Sequence, residues 1–234
     1  MVDAPSSQVR WPEYHRLINS AYPPIDLFED IAGPTDWNLL NGAETKTNPR
    51  INENVGNLDL IPPERHVGGA GASYVMAPFT HVTPDKHGRF HDGLFGAFYG
   101  ANTFETALFE TVHHSEVFYA STPNEAGWLV NYRELVGSID ANLIDLRGGG
   151  FDALLDEAAY TASQNFARDA RRDNANGIVY PSVRNPGGEC FAAFFPDVMG
   201  IPIQGTHLAY HWNGDRIDLV KETDNEQRVF EIIV

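Results

Sequence analysis

Apolar positions are unevenly organised along this chain. Beyond about residue 72 they gather into strand-like runs at Ser73–Phe79, Leu94–Tyr99, Trp128–Tyr132 and Leu143–Leu146. Between these runs Phe104, Ala107, Leu108, Thr111 and Val112 fall at i, i+3, i+4, i+7 and i+8, the buried stripe of an amphipathic helix. The spacing predicts a helix over about Thr103 to His114, with Asn102 and Glu105 fitting a capping box in the broad sense. A second helix is expected over Asp152 to Arg172, between a run of three Gly and Asn174-Ala175-Asn176-Gly177. Two β-type runs follow, Ile178–Val183 and Cys190–Phe195, joined by a turn at Arg184-Asn185-Pro186-Gly187-Gly188-Glu189. Near the end, Trp212-Asn213-Gly214-Asp215 carries the Asn-Gly signal of a tight hairpin, and Val229–Val234 reads as a last strand.

The first 70 residues follow another pattern. Pro12, Pro23-Pro24, Pro34, Pro49 and Pro62-Pro63 interrupt every periodicity, so helices there are expected to be short. Asp26–Ala32 is one candidate, and a second starts near Thr35-Asp36 and takes in Trp37, Leu39 and Leu40. Trp11, Tyr14, Tyr22, Phe28 and Trp37 indicate a segment packed on the core. The expected organisation is a Pro-rich extension over 1–70 and a main domain over 71–234, with its informative segments within about 85–195. Strands and helices alternate without βαβ regularity. That predicts an α+β fold with a mixed, largely antiparallel sheet and flanking helices.

Composition narrows the function classes. The 234 residues are 42% hydrophobic and 12% aromatic, enough for a globular core. Thirty-two acidic residues against 16 basic give a formal charge of −16, which disfavours direct binding to nucleic acid or to anionic membranes. A lone Cys190, the absence of any apolar run of about 18 residues and an N-terminus without a signal-peptide pattern point to a cytoplasmic protein. Nothing in the composition bears on assembly, and a homo-oligomer stays open.

Four side chains stand out as candidate chemistry. Glu110 lies off the apolar stripe; alone it describes a solvated carboxylate pairing with His114, and a functional role requires a sheet edge or loop folded over that side. Arg89, between Gly88 and Phe90, is either a surface ion-pair partner or a bidentate clamp for phosphate. Tyr99, closing an aromatic run, is either a core residue or a flat face for a heteroaromatic ring. Ser182, before a Gly-rich turn, either bonds to nearby backbone or binds a ribose or phosphate oxygen. It lacks the Gly-x-Ser-x-Gly setting of a hydrolase nucleophile. His207 and His211 have i, i+4 spacing without the Glu of a zinc motif, and no metal site is expected. Gly68-Gly69-Ala70-Gly71 and Gly148-Gly149-Gly150 match neither dinucleotide nor P-loop spacing.

Taken together, Arg89, Tyr99, Glu110 and Ser182 occur in an order that resembles the RES-domain family, toxins of bacterial toxin–antitoxin pairs. The segments running from Tyr99-Gly100-Ala101 to His113, and Gly177-Ile-Val-Tyr-Pro-Ser182-Val-Arg184 with Gly187-Gly188, look like that family's two signature blocks, within about 70–200. Tyr22-Pro23-Pro24 and Thr47-Asn48-Pro49-Arg50 resemble the extensions of longer members. The resemblance implies a fold related to ADP-ribosyltransferases and cleavage of NAD⁺ at the nicotinamide–ribose bond, with phosphate or water as acceptor. NAD⁺ is then a substrate, inorganic phosphate a co-substrate, and no cofactor is needed. Glu110 would hold the ribose and stabilise an oxocarbenium-like state, and Arg89 would bind pyrophosphate or incoming phosphate. Tyr99 would pack on nicotinamide or ribose, and Ser182 would orient the nucleotide. The same resemblance implies a cognate Xre-like antitoxin that covers the pocket and carries the DNA-binding region. The competing readings are a protein ADP-ribosyltransferase with the same pocket and a non-catalytic acidic binding module.

Overall fold

Where the Pro-rich composition suggests interrupted chain, a computed structural model places a 14-residue strand. It describes residues 3–21, 36, 56–85, 87–224 and 228–233; the two short helices expected over 26–32 and 35–40 lie outside these, apart from residue 36. The first strand, β1 (Ser6–Asn19), runs antiparallel to β3 (Gly127–Asp145) from Ser6–Ile144 to Asn19–Tyr132. Pro12 does not break it. Trp11 pairs with Ile139 and Tyr14 with Gly137, so two residues of β1 face one of β3. The proline sits in that bulge, where no ladder donor is required.

β1 also meets β2 (Phe98–Ala101) through one pair, His15–Ala101. From there β2 pairs with β5 (Glu189–Ala193), β5 with β4 (Gly177–Pro181), and β4 in parallel with the end of β3. The five strands thereby close into a circuit. β6 (Ile203–Trp212), β7 (Ile217–Glu222) and β8 (Val229–Glu231) extend the sheet from β3. The result is the expected α+β architecture with a mixed, mostly antiparallel sheet. Inside the circuit the Tyr14 ring packs edge-on against Phe98 and Phe191, at 5.5 and 5.4 Å. Gly137 makes room for it, because a Cβ there would meet the Tyr14 ring at 2.6 Å. Burying each such ring stabilises the fold by roughly 1.5–3 kcal/mol.

Three helices flank the sheet among the described residues: α1 (Ala72–Thr80), α2 (Phe104–Ala120) and α3 (Thr161–Arg172). None is long and apolar enough to cross a membrane. Several elements differ from the sequence reading. Ser73–Phe79 is helical, not a strand; Ala72, Ser73, Val75, Met76, Phe79 and Thr80 are its buried positions, a helical spacing masked by the near-continuous apolar run. The strand expected over Leu94–Tyr99 starts only at Phe98, because Gly93 at φ 83° and the Asp92 side chain, which accepts from the Leu94 N–H, form a turn. Trp128–Tyr132 and Leu143–Leu146 belong to β3, apart from Leu146 just past its end, so one long strand spans both. α2 is capped by Thr103, whose Oγ1 accepts from the Thr106 N–H, while Asn102 accepts from the Glu189 N–H across the sheet. The expected long helix from Asp152 divides into a short 3₁₀ turn, Asp152–Leu154, and α3. Asp156 enforces the break by accepting from the N–H groups of Ala158 and Ala159. The Asn-Gly hairpin forms as expected: Asn213 Oδ1 accepts from the N–H groups of Asp215 and Arg216 between β6 and β7.

Candidate active site

Because β1 and β2 touch at a single pair, they part immediately beyond it, and a cleft of about 350 Å³ opens there. His15, Arg16 and Leu17 of β1 form one wall, and Tyr99, Gly100 and Ala101 of β2 the next. α2 adds Ala107, Glu110, Thr111 and His114. The turn before β2 adds His87, Gly88, Arg89 and His91, with Tyr160, Tyr180, Arg184 and Cys190 completing the lining.

Glu110 faces this cleft. The end of β4 and the start of β5 meet its side of α2, the carboxylate is half-buried, and its Oε1 accepts from Ser182 Oγ at 2.7 Å. Ser182 follows the last residue of β4 and is itself buried. Its oxygen also accepts from the N–H groups of Arg184 and Asn185, which fixes the hydroxyl proton toward Glu110. The hydroxyl is thus occupied in positioning a carboxylate. It does not line the cleft directly. Cys190 lies 3.8 Å from the same Glu110 oxygen, and burial together with the Glu110 charge pushes its thiol up, away from the thiolate form.

Arg89 is buried in the turn closed by the Gly88 N–H on the His91 carbonyl, a turn tied to α3 by Gln164. Its guanidinium donates to the Asp156 carbonyl at 2.5 Å and lies 4.8 Å from the Tyr160 ring centre. Both contacts depend on the break in the helix at Asp156–Tyr160. Tyr99 turns its hydroxyl inward, accepting from the Phe90 N–H and bonding His91 Nδ1, each at 2.9 Å. Burial raises this hydroxyl well above its ordinary range, so it stays protonated.

Arg16 was not singled out from the sequence. It donates across the opening to the Tyr99 carbonyl at 2.8 Å and lies over the Phe98 ring. Burial lowers it to about 10, still charged at neutral pH. Neither Arg16 nor Arg89 has a carboxylate partner among the described residues, whereas Arg184 is paired with Glu157 at 2.5 Å. The only advance signal for Arg16 was its place in Tyr14-His15-Arg16-Leu17-Ile18, a strand-like run hidden among prolines. The surface pair considered for Glu110 and His114 does not form among the described contacts; burial is the main cause holding His114 below its ordinary value, and it brings His113 down to about 4. His207 and His211, on β6, face Asp224 and Asp218 respectively.

The four candidates therefore converge: Arg89, Tyr99 and Glu110 line one cleft, and Ser182 holds Glu110 from behind it. The cleft thus brings together two guanidiniums without carboxylate partners among the described residues, aromatic walls and one oriented carboxylate. Residues 62–213 match the family model of the RES domain, and the chain belongs to the RES-domain family. The uncharacterized protein y4oC of Sinorhizobium fredii (strain NBRC 101917 / NGR234) is 29% identical over 213 residues, covering 91% of this chain and 88% of that one. A chain of the crystal structure of the M. tuberculosis MbcT–MbcA toxin–antitoxin complex overlays with a TM-score of 0.42 at 11% identity, covering 88% of this chain and 87% of that one.

Proposed function

We propose that this protein is an NAD⁺-consuming toxin of a toxin–antitoxin pair, cleaving the nicotinamide–ribose bond with phosphate or water as acceptor. The observation that carries the reading is the 2.7 Å bond from Ser182 to Glu110 within a cleft lined by Arg16 and Arg89. Departure of neutral nicotinamide builds positive charge on the ribose. A fixed carboxylate oxygen next to that charge stabilises it without reorganising. Glu110 Oε2, left open by the Ser182 contact, takes the ribose hydroxyls. Arg16 and Arg89 hold the pyrophosphate, since their carbonyl and ring contacts leave their charges uncompensated. Tyr99 and Tyr160 offer ring surface, and Ser182 acts through Glu110.

NAD⁺ enters as substrate and inorganic phosphate as co-substrate. A cognate Xre-like antitoxin covering the cleft would silence the activity in the cytoplasm, consistent with the family to which the chain belongs. The test is purified protein with NAD⁺, with and without phosphate, following nicotinamide and the ribosyl product by chromatography. Nicotinamide release supports the reading; folded, antitoxin-free protein that releases none refutes it.

A further inference from the structure

A buried carboxylate stands behind the β1 wall of the cleft. Glu134, on β3, is 7% exposed, and its Oε2 accepts from the Thr206 N–H. Its Oε1 lies 2.6 Å from His15 Nδ1. A carboxylate so placed is costly unless paired, and the imidazole is its side-chain partner. With Nδ1–H directed at Glu134, the ring keeps its lone pair on Nε2, which has no hydrogen-bond partner among the described residues. Edge-on contact with Phe104, 6.4 Å between ring centres, restricts the ring further. His15 lines the same cleft as Glu110. A carboxylate that orients an imidazole, with the far nitrogen left open, is the arrangement a proton acceptor requires. His91, also in the lining, has its Nδ1 on the Tyr99 hydroxyl.

Resting on the NAD⁺-cleaving reading above, we propose that His15 is the proton acceptor for a water attacking C1′ of the ribose, and that Glu134 is its positioning residue. As the C1′–N bond breaks, its electron pair leaves with neutral nicotinamide. The water oxygen bonds C1′, and one water proton passes to Nε2 and on to solvent, leaving ADP-ribose. Monohydrogen phosphate already carries nucleophilic oxygens and needs no deprotonation, so phosphorolysis bypasses His15. Glu134 from β3 contacts the ring from behind the wall, and Glu110 and His114 from α2, Tyr99 from β2 and Arg16 on its own strand are among the charged and titratable groups lining the same cleft. Glu110 is engaged by Ser182 on one oxygen and by the ribose on the other, which leaves the proton to another group.

The experiment compares nicotinamide release from NAD⁺ by wild type, His15→Gln, His15→Ala and Glu134→Gln, with and without inorganic phosphate. In His15→Gln the ratio of phosphate-free to phosphate-dependent turnover is expected to fall at least roughly tenfold, within the range of general-base effects. Added imidazole should restore phosphate-free turnover to His15→Ala, a rescue that a structural role would not give. Glu134→Gln should lower kcat for hydrolysis while leaving KM for NAD⁺ unchanged. An unchanged ratio in His15→Gln, or loss of both activities without imidazole rescue, overturns the proposal. Wild type that uses phosphate alone overturns it too, while sparing the NAD⁺ reading. Wild type that releases no nicotinamide under either condition sinks the NAD⁺ reading, and the role of His15 with it.

Discussion

Two sets of arginines in this molecule are handled in opposite ways. Arg147, beyond β3, is saturated by anions: it donates to both oxygens of Asp145 at 2.9 and 2.6 Å, and to Glu189 at 2.8 Å. Ser7 completes the cluster, which ties the start of β1 to the end of β3 and the start of β5. Arg16 and Arg89 instead have carbonyl oxygens and aromatic faces as partners. Those contacts fix the guanidinium plane without cancelling its charge. Compensated charge holds strands together; uncompensated charge, on the reading proposed above, is left for the ligand. In a chain of formal charge −16 the second arrangement does not reflect a surplus of cations, because acidic residues outnumber basic ones two to one.

Substitutions should separate the two regions. Glu110→Gln is expected to reduce nicotinamide release about a hundredfold or more while leaving the melting temperature unchanged, since a single preorganised electrostatic group carries effects of that size. Arg89→Gln and Arg16→Gln should each raise KM for NAD⁺ roughly tenfold, the equivalent of about 1.4 kcal/mol of binding, as measured by steady-state kinetics. Ser182→Ala, which frees Glu110 to move, should lower kcat by about tenfold or less with little change in KM, as expected when positioning is loosened. Arg147→Gln should do the reverse of these: activity per folded molecule is retained, and denaturant unfolding shows a loss of about 1–2 kcal/mol, allowing for partial solvent screening. An Arg147 variant that lost activity at full stability would erase the distinction.

The smallest effect concerns pH. Hydrogen bonding to Arg147 holds the Asp145 carboxyl well below the usual carboxylate range. Its contribution to stability is therefore complete above the unfolded value of about 4 and is lost as pH falls toward the folded one. Asp145→Asn should be less stable than wild type at neutral pH, with a shallower decline below about pH 4 in acid unfolding followed by circular dichroism.

Legibility from sequence followed locality. α2 was readable because its stripe repeats over consecutive turns, and the Asn213-Gly214 hairpin because its turn chemistry is contained in the turn. Glu110 and Ser182 were identified by their order in the chain, but their contact spans 72 positions, so the role of Ser182 as a support for Glu110 was visible only in three dimensions. β1 was concealed for two reasons. Pro12 reads as a breaker unless a bulge receives it, and the ladder that receives it lies on β3. With β1 went His15 and Arg16, two members of the cleft lining. The break before α3 was missed because the Asp156 side chain caps two backbone donors, a choice the helical pattern of the flanking residues does not reveal.

The closed circuit of strands has a consequence for biosynthesis. A ribosome releases β1 first, yet Ser7 and its partner Asp145 are separated by 138 positions. At about 5–20 residues per second, the first strand waits on the order of ten seconds for its main partner. Throughout that interval the nascent polypeptide has the Arg16 side of its cleft without the Glu110 side in register. Catalytic competence, on the reading proposed above, is thereby deferred until β3, β4 and Ser182 have been synthesised, which gives a neutralising partner time to meet the emerging chain.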